Sequence, residues 1–404
     1  MTDTAPGRWG RLALLAIAMV GAMSPWLAGS AAAPILAAEF ALTPSEIGWL
    51  TSGAQLGFVA GTLGLAMLNL ADIVSGRVLF AVSAVLTAAA NAALLLTDAF
   101  PVMLASRLLT GMTLAGVYPP AMKMAATWFT RFRGMAIGTV VGALTVGKAF
   151  PYLLHGAGGL TLAPMVLVPS AAALLAALLV ALLWRDGPFA FPARPFAWGL
   201  VGTVLRDPAL RRVTGGYLGH MWELYAFWAW IPGFLAAAAT ARGDMARSHD
   251  TEAFFVVAIG GLGCVAGGVL ADRIGRRTVA RGAMMVSGSL AVLSPLLFGA
   301  PSWILLLAAL LWGVMVIADS AQFSALATEL APPHAVGTAL ALQASLGFLL
   351  TIASIQLVPV MVEWLGWRWA FAVLALGPLA GVIALGKGGR GGERPAPPRE
   401  AAAG

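Results

Sequence analysis

The chain has 404 residues, 60% of them hydrophobic and only 10% charged. A water-soluble domain carries roughly 25% charged residues, so this composition cannot cover a surface facing water and belongs to an integral membrane protein with many spans. A single cysteine, Cys264, excludes an internal disulfide and a Cys-rich metal site. The net charge of +7 would suit nucleic acid, but the placement of the charges argues against that partner.

In chain order, the apolar run from Leu12 follows Arg8 and Arg11 as a signal peptide would. It is too long for a signal core and continues into further spans, so it reads as a first helix. Apolar segments of about 20 residues, the length that crosses a ~30 Å hydrocarbon layer, recur twelve times. They fall near 11–37, 46–70, 78–97, 101–127, 133–155, 161–184, 213–238, 253–271, 279–299, 302–327, 335–360 and 366–386. In lipid each segment must pair its own backbone groups, which predicts helices, and the alternating ten-residue strands of a barrel are missing. The stretch between Arg185 and Arg212 carries Pro188, Pro192, Pro195 and Pro208 and divides the spans six and six. Within it, "FAWGLVGTVL" suits a short amphipathic helix lying in the interface. The predicted division is an N-terminal bundle over 1–187, a linker over 188–212, a C-terminal bundle over 213–389 and a disordered tail over 390–404.

Lysine and arginine set the orientation. With the N-terminus inside, cytoplasmic segments hold nineteen of the twenty-four, and the outer loops hold Arg242, Arg247 and Arg368. The positive-inside rule predicts this asymmetry, and it accounts for the basic character without nucleic acid. Arg107 and Lys148 fall within spans.

After the second span comes "NLADIVSGR", with Asp72 and Arg77; after the eighth comes "GVLADRIGRR", with Asp272 and Arg276. Equivalent loops at equivalent places indicate two parallel halves of six helices, as when a transporter is built from repeats. At these residues the chain resembles the major facilitator superfamily. Gly268, Leu270, Ala271, Asp272, Arg273, Gly275, Arg276 and Arg277 match the family's signature loop, and Arg107 and Gly111 match its fourth-helix pattern. The resemblance spans about residues 8 to 388. It implies an all-α integral membrane protein of twelve transmembrane helices in two pseudo-symmetric six-helix bundles, working by alternating access. It also implies that Asp72, Arg77, Asp272 and Arg276 act as gating elements. Stretches such as "EIGWLTSGAQLGF", "YPPAMKMAATWF" and "ADSAQF" resemble bacterial carriers grouped with cyanate and nitrate permeases. Helices 2 and 8 lack the arginines of nitrate porters, and helix 5 lacks the Gly-Pro signature of the family's proton antiporters.

Glycines at spacing four (Gly53, Gly57, Gly61; Gly134, Gly138, Gly142; Gly263, Gly267) allow close backbone approach between helices in lipid. An ionisable group near the bilayer centre costs about 2.5–3.5 kcal/mol on insertion scales and is therefore a candidate for function. Four stand out: Arg107, Lys148, Glu223 and Asp319. At about 1.5 Å per residue, Arg107 lies ~9 Å below the outer end of helix 4 and Lys148 ~22 Å above Arg133, so both cations share the outer half. Glu223 lies ~14 Å from the inner end of helix 7, with Asp319 nearer the cytoplasm. The N-half thus holds the membrane cations and the C-half the acids.

Cations facing a central cavity suit an anion: arginine offers a planar fork, lysine a point charge. Tyr152, Gln55, Trp222 and Tyr225 are candidates to line the same cavity, while Trp228 and Trp230 read as interfacial or packing aromatics. Glu223 and Asp319 are the groups available to carry a proton, or to gate. His220, three residues before Glu223, can share its face, so Glu223 has His220 or a cation across the cleft as a candidate partner. The expectation is a monomeric anion–proton symporter of the bacterial inner membrane with both termini cytoplasmic. Its partners are a small anion, protons and the lipid bilayer, and it needs neither a cofactor nor a metal. No catalytic triad, paired catalytic carboxylates or phosphate-binding loop is present, so no enzymatic activity is expected. An efflux carrier of amphipathic or cationic compounds, with Glu223 and Asp319 as the binding acids, is the alternative reading, and a membrane sensor a third.

Overall fold

Runs of Ala, Leu, Val and Gly without water to bond to must close their own backbone hydrogen bonds, and here they do so as helices. A computed structural model of the chain describes residues 5–130, 132–158, 161–189, 196–244 and 249–386, without the side chains of Ala71, Asp72, Arg133 and Pro333. Helix α1 runs over Arg8–Met23. It is followed by α2 (Pro44–Met67), α3 (Gly76–Leu96), α4 (Phe100–Ala126), α5 (Gly134–Gly156), α6 (Leu162–Leu183) and α7 (Pro208–Ala241). The remaining helices are α8 (Asp250–Ile274), α9 (Arg276–Phe298), α10 (Ser302–Leu330), α11 (Val336–Leu365) and α12 (Trp367–Leu385). Among the described residues, α2 to α12 are the eleven helices long and apolar enough to cross a membrane.

The first expected span, 11–37, is not one helix. It stops at Met23, turns through Ser24–Leu27 and resumes as short pieces, Ala28–Ala31 and Ala33–Phe40. Pro25 explains the stop, because proline has no N–H to give and its ring clashes with the preceding turn. Ser24 Oγ covers the break, donating to the carbonyl of Gly21 at 2.8 Å and to that of Pro169 on α6 at 3.3 Å. Four other helices are interrupted among the described residues: α4 at Ala115–Val117, α8 at Ile259, α10 at Asp319 and α12 at Phe371, which a 3-10 stretch over Ala372–Ala375 follows. By contrast α7 begins five residues before its expected start, since Asp207 Oδ1 accepts from the Ala209 and Leu210 N–H groups and Pro208 opens the first turn.

α2 packs on α4, α3 on α6 and α4, and α1 on α5 and α6; α7 packs on α11 and α12, α8 on α10, and α9 on α10 and α12. Contact between these two sets runs mainly through α2 against α11 and α5 against α8. The linker's Val201–Arg206 helix buries Val204 against Leu210, Ala331, Val336 and Ala339, while Trp198 and Leu205 stay exposed. The predicted tail, 390–404, lies outside the described residues.

Glycine makes the tightest crossing possible. A Cβ at Gly57 would stand 1.9 Å from the Leu108 carbonyl oxygen, and one at Gly111 would stand 1.9 Å from that of Ala54. The α2 and α4 backbones therefore touch. Inserting atoms into such a contact costs about 1–3 kcal/mol, so Gly111→Ala is expected to lower the thermal unfolding midpoint of the detergent-purified protein. Gly64, with nothing within 4 Å of its Cβ position, provides a neutral Gly64→Ala reference. Equal midpoints for the two variants would refute the backbone contact.

Prolines inside helices create a second type of contact. Pro232 withholds the N–H that the Trp228 carbonyl would accept, and Tyr152 Oη on α5 donates to that oxygen at 2.8 Å. Pro359 does the same to Ile355, whose carbonyl accepts from Trp230 Nε1 at 2.9 Å. Tyr152→Phe should cost about 1–3 kcal/mol by leaving a buried carbonyl unpaired. In a Pro232→Ala background the N–H returns, and the same change should cost much less. Additive losses in thermal melts of the single and double variants would count against this account.

Candidate functional site

The break in α1 is where the site begins. Trp26, in the turn after Pro25, has a carbonyl free of helical bonding, and Arg107 Nη2 of α4 donates to it at 2.5 Å. Arg107 Nη1 donates to Asn91 Oδ1 of α3 at 2.9 Å. Asn91 is itself aimed by its amide, which donates to the Val166 carbonyl and to Ser170 Oγ of α6 at 3.0 and 2.9 Å. Two of the three guanidinium nitrogens are thus satisfied by neutral oxygens. The third, Nε, is buried without a partner, beside Gly29.

The ring of the same tryptophan receives the second cation. Lys148 Nζ of α5 lies 3.5 Å from the Trp26 ring centroid, 4.5 Å from that of Tyr225 and 5.5 Å from that of Trp228, and it donates to Tyr225 Oη. Arg107 is 0% exposed and Lys148 1% exposed. Among the described residues neither has a carboxylate within ion-pair distance. A cation over a ring gains about 2 kcal/mol or somewhat more when desolvated, whereas burying an ion costs several kcal/mol. Ring faces alone leave the ammonium under-compensated.

The neighbouring polar atoms are in the same condition. Trp26 Nε1, Trp228 Nε1 and both amide atoms of Gln55 are buried without a hydrogen-bond partner. Gln55 sits on α2 one turn before Phe58, whose ring meets Trp26 at 5.0 Å and Phe348 of α11 at 4.5 Å. Tyr225 closes the group, 5.9 Å from Trp26 and 5.3 Å from Phe348. The result is an aromatic-walled region whose unpartnered polar atoms are the N–H groups of Trp26, Trp228 and Arg107 and the amide of Gln55.

The acids lie elsewhere along α7. Glu223 does not meet His220. Its Oε2 accepts from Ser287 Oγ of α9 and its Oε1 from Trp312 Nε1 of α10, both at 2.7 Å. His220 instead brings Nδ1 within 2.8 Å of Asp319 Oδ1, at the interruption of α10, and its Nε2 is buried without a partner. Asp319 is 1% exposed, so it is no solvated carboxylate. The i,i+3 spacing places His220 and Glu223 on one face, but each finds a better-placed partner on another helix.

Other expected site residues separate. Trp222 turns away from the cations: its Nε1 donates to the Val373 carbonyl and its ring covers Gly377 of α12. Tyr152 spends its hydroxyl on Trp228. Trp228 and Trp230 are packing aromatics here; the first is fully buried and the second donates to the Ile355 carbonyl. Arg276 pairs with Glu329 at 2.7 Å and reaches Gln322 at 3.4 Å, joining α9 to α10. Exposed Asp272 lies near Gly134 at the start of α5, and Arg77 is exposed at the start of α3. The Asp72 side chain lies outside the described residues.

Sequence reasoning missed Trp26, Asn91, Ser287, Trp312 and the His155–Asp250 pair, which joins α5 to α8 at 2.8 Å. Pro25 beside a tryptophan, and a lone asparagine in an apolar run, were the available signals. Among the described residues no three His, Cys, Asp or Glu side chains converge as metal ligands.

The fold is similar to that of several solved transporters. A crystal structure of a mutant of the nucleoside transporter NupG superposes with a TM-score of 0.70 at 14% identity, covering 94% of this chain and 98% of that one. A bacterial homologue of the human lysosomal transporter Spinster, inward-facing and occupied, gives 0.66 at 15% identity, covering 95% of each chain. The human organic anion transporter MFSD10 (TETRAN) gives 0.67 at 13% identity, covering 94% of this chain and 100% of that one. No curated protein sequence matches the chain. The sequence profile described as Major Facilitator Superfamily matches residues 14–243 and 251–403. With nearly its whole length matched, and its helices laid out as in those carriers, the chain belongs to the Major Facilitator Superfamily.

Proposed function

We propose that this transporter moves a small organic or inorganic anion, by alternating access and with protons as the coupling ion. One observation carries the reading: Arg107 and Lys148 are buried without a carboxylate partner among the described residues, next to orphaned N–H donors of Trp26, Trp228 and Arg107 itself. Buried donors and cations without acceptors are costly, and an anion supplies what all of them lack. The acids are less suited to hold a cationic substrate, since Glu223 already accepts from Ser287 and Trp312 and Asp319 faces His220.

The proposed architecture is twelve spans in two six-helix bundles, divided at the linker, with α1 and its broken continuation as the first span. The helix packing supports it. The basic segments favour both termini in the cytoplasm of a bacterial inner membrane. In alternating access the bundles must part where they now touch: Lys148 with Tyr225, Tyr152 with the Trp228 carbonyl, Gln356 with Ser52 at 3.3 Å, and His155 with Asp250. An anion reaching Lys148 competes with the Tyr225 hydroxyl for the ammonium. Ligand binding is thereby tied to the contact between bundles.

Uptake into proteoliposomes of a panel of monocarboxylates, dicarboxylates and inorganic anions, with and without a pH gradient, tests the reading. Truncating a buried charge that contacts a ligand costs about 2–5 kcal/mol. Lys148→Ala and Arg107→Ala should therefore each lower uptake at least about tenfold. Undiminished transport of every substrate by both variants would sink the anion assignment. Proton coupling through Glu223 predicts that Glu223→Gln still exchanges substrate but no longer concentrates it; normal accumulation by this variant would move coupling to another group.

A further inference from the structure

We propose that Ser287 is the hydroxyl that lets Glu223 change protonation state without stranding a buried polar atom. The inference rests on the reading of Glu223 as the coupling acid. Trp312 Nε1 can only donate, so it fixes Oε1 as an acceptor in both states and directs the proton to Oε2. The indole cannot easily turn away, being stacked on Phe227 at 4.7 Å and edge-on to Phe371 at 5.9 Å.

Ser287 Oγ both donates and accepts. With Glu223 ionised, its O–H points to Oε2 at 2.7 Å. A second acceptor, the carbonyl of Met284, lies 3.4 Å from the same oxygen. When hydronium from the open side gives its proton to Oε2 and leaves as water, the new carboxyl O–H donates to Ser287 Oγ. The serine hydroxyl then rotates toward Met284. Each state keeps two hydrogen bonds on the carboxyl group and one on the serine proton, and only a hydroxyl rotor moves. An indole at position 287, which can only donate, could not reverse its role in this way.

The surrounding charges do not displace this pair. On α7 the nearest titratable groups are His220, which faces Asp319, and Tyr217 and Tyr225. α10 contributes Asp319, α8 contributes Cys264 between its charged ends, and α9 has its arginines, Arg276, Arg277 and Arg281, more than a turn before Ser287. α11 and α12 carry no charged side chain apart from Glu363 and Arg368 near their ends. The serine is thus the partner available to the proton on Oε2.

Infrared difference spectra between acid and alkaline pH, taken on the full chain in liposomes, test the proposal. A protonated-carboxyl C=O band is expected, assigned to Glu223 by its loss in Glu223→Gln. In Ser287→Ala that band should shift to higher frequency, because the carboxyl O–H loses its acceptor, and proton-driven accumulation should fall several-fold. Ser287→Thr, which keeps the hydroxyl, should restore the wild-type band position and guards against a folding defect in the alanine variant. A Glu223 band that stays in place in Ser287→Ala overturns the role of Ser287 alone. Absence of any Glu223-sensitive band overturns the coupling assignment and the inference with it.

Discussion

The ammonium of Lys148 rests on the indole of Trp26, and that contact sets demands on every helix nearby. An ion this deep cannot be solvated, so its surroundings must supply polarisable ring faces and oxygen atoms. Trp26 can serve because Pro25 ends α1 before it, turning its side chain to Lys148 and its carbonyl to Arg107. Arg107 in turn needs Asn91, and Asn91 needs the α6 oxygens that orient it. One interrupted helix therefore organises side chains from α3, α4, α5 and α6, and through Tyr225 it reaches α7.

The same accounting of donors and acceptors separates the two kinds of charge. On the acid side each carboxylate oxygen of Glu223 has its donor, while Asp319 Oδ1 lies 2.8 Å from the His220 imidazole without hydrogen-bond geometry and His220 Nε2 has no partner. On the cation side Arg107 Nε and two indole N–H groups have none. Breaks and prolines are the means by which the backbone adjusts the balance, by releasing carbonyls at chosen depths. Trp26, Trp228 and Ile355 all offer main-chain oxygens for this reason, and a side-chain donor takes up each one. Where donors remain without acceptors, the proposed anion is the partner whose chemistry would fit.

Much of the helix layout could be read from residue types, because the cost of unpaired backbone in lipid leaves few options. Arg107 and Lys148 stood out on the same ground. What the sequence did not reveal was pairing. His220 and Glu223 are neighbours on one helical face, yet Asp319 approaches His220 from 99 residues further along, at a break that no hydropathy pattern marks. Trp222 and Tyr225 looked equivalent as aromatics beside charges. They lie three residues apart, and the small offset between their directions sends one to Gly377 and the other to Lys148. Trp26 was hidden for the opposite reason: its function follows from the loss of helix at Pro25, and the apolar run around it reads as unbroken.

Position along α7 decides how the two regions can communicate. Within six residues this helix presents Glu223 to α9 and α10, Tyr225 to the ammonium of α5, and the Trp228 carbonyl to Tyr152 of α5. A helical segment of that length is stiff, so a rigid-body movement of α7 would carry all three contacts together. Phe227 stacks on Trp312 and meets Phe371 at 6.1 Å, which ties the same segment to α10 and α12. Both contacts from α7 to α5 cross between the bundles of the proposed architecture. With Glu223 as the proposed coupling acid, a proton gained there removes a buried negative charge while the Ser287 and Trp312 contacts persist, and a parting of the bundles would carry Glu223 together with the α7 groups that face the proposed anion region.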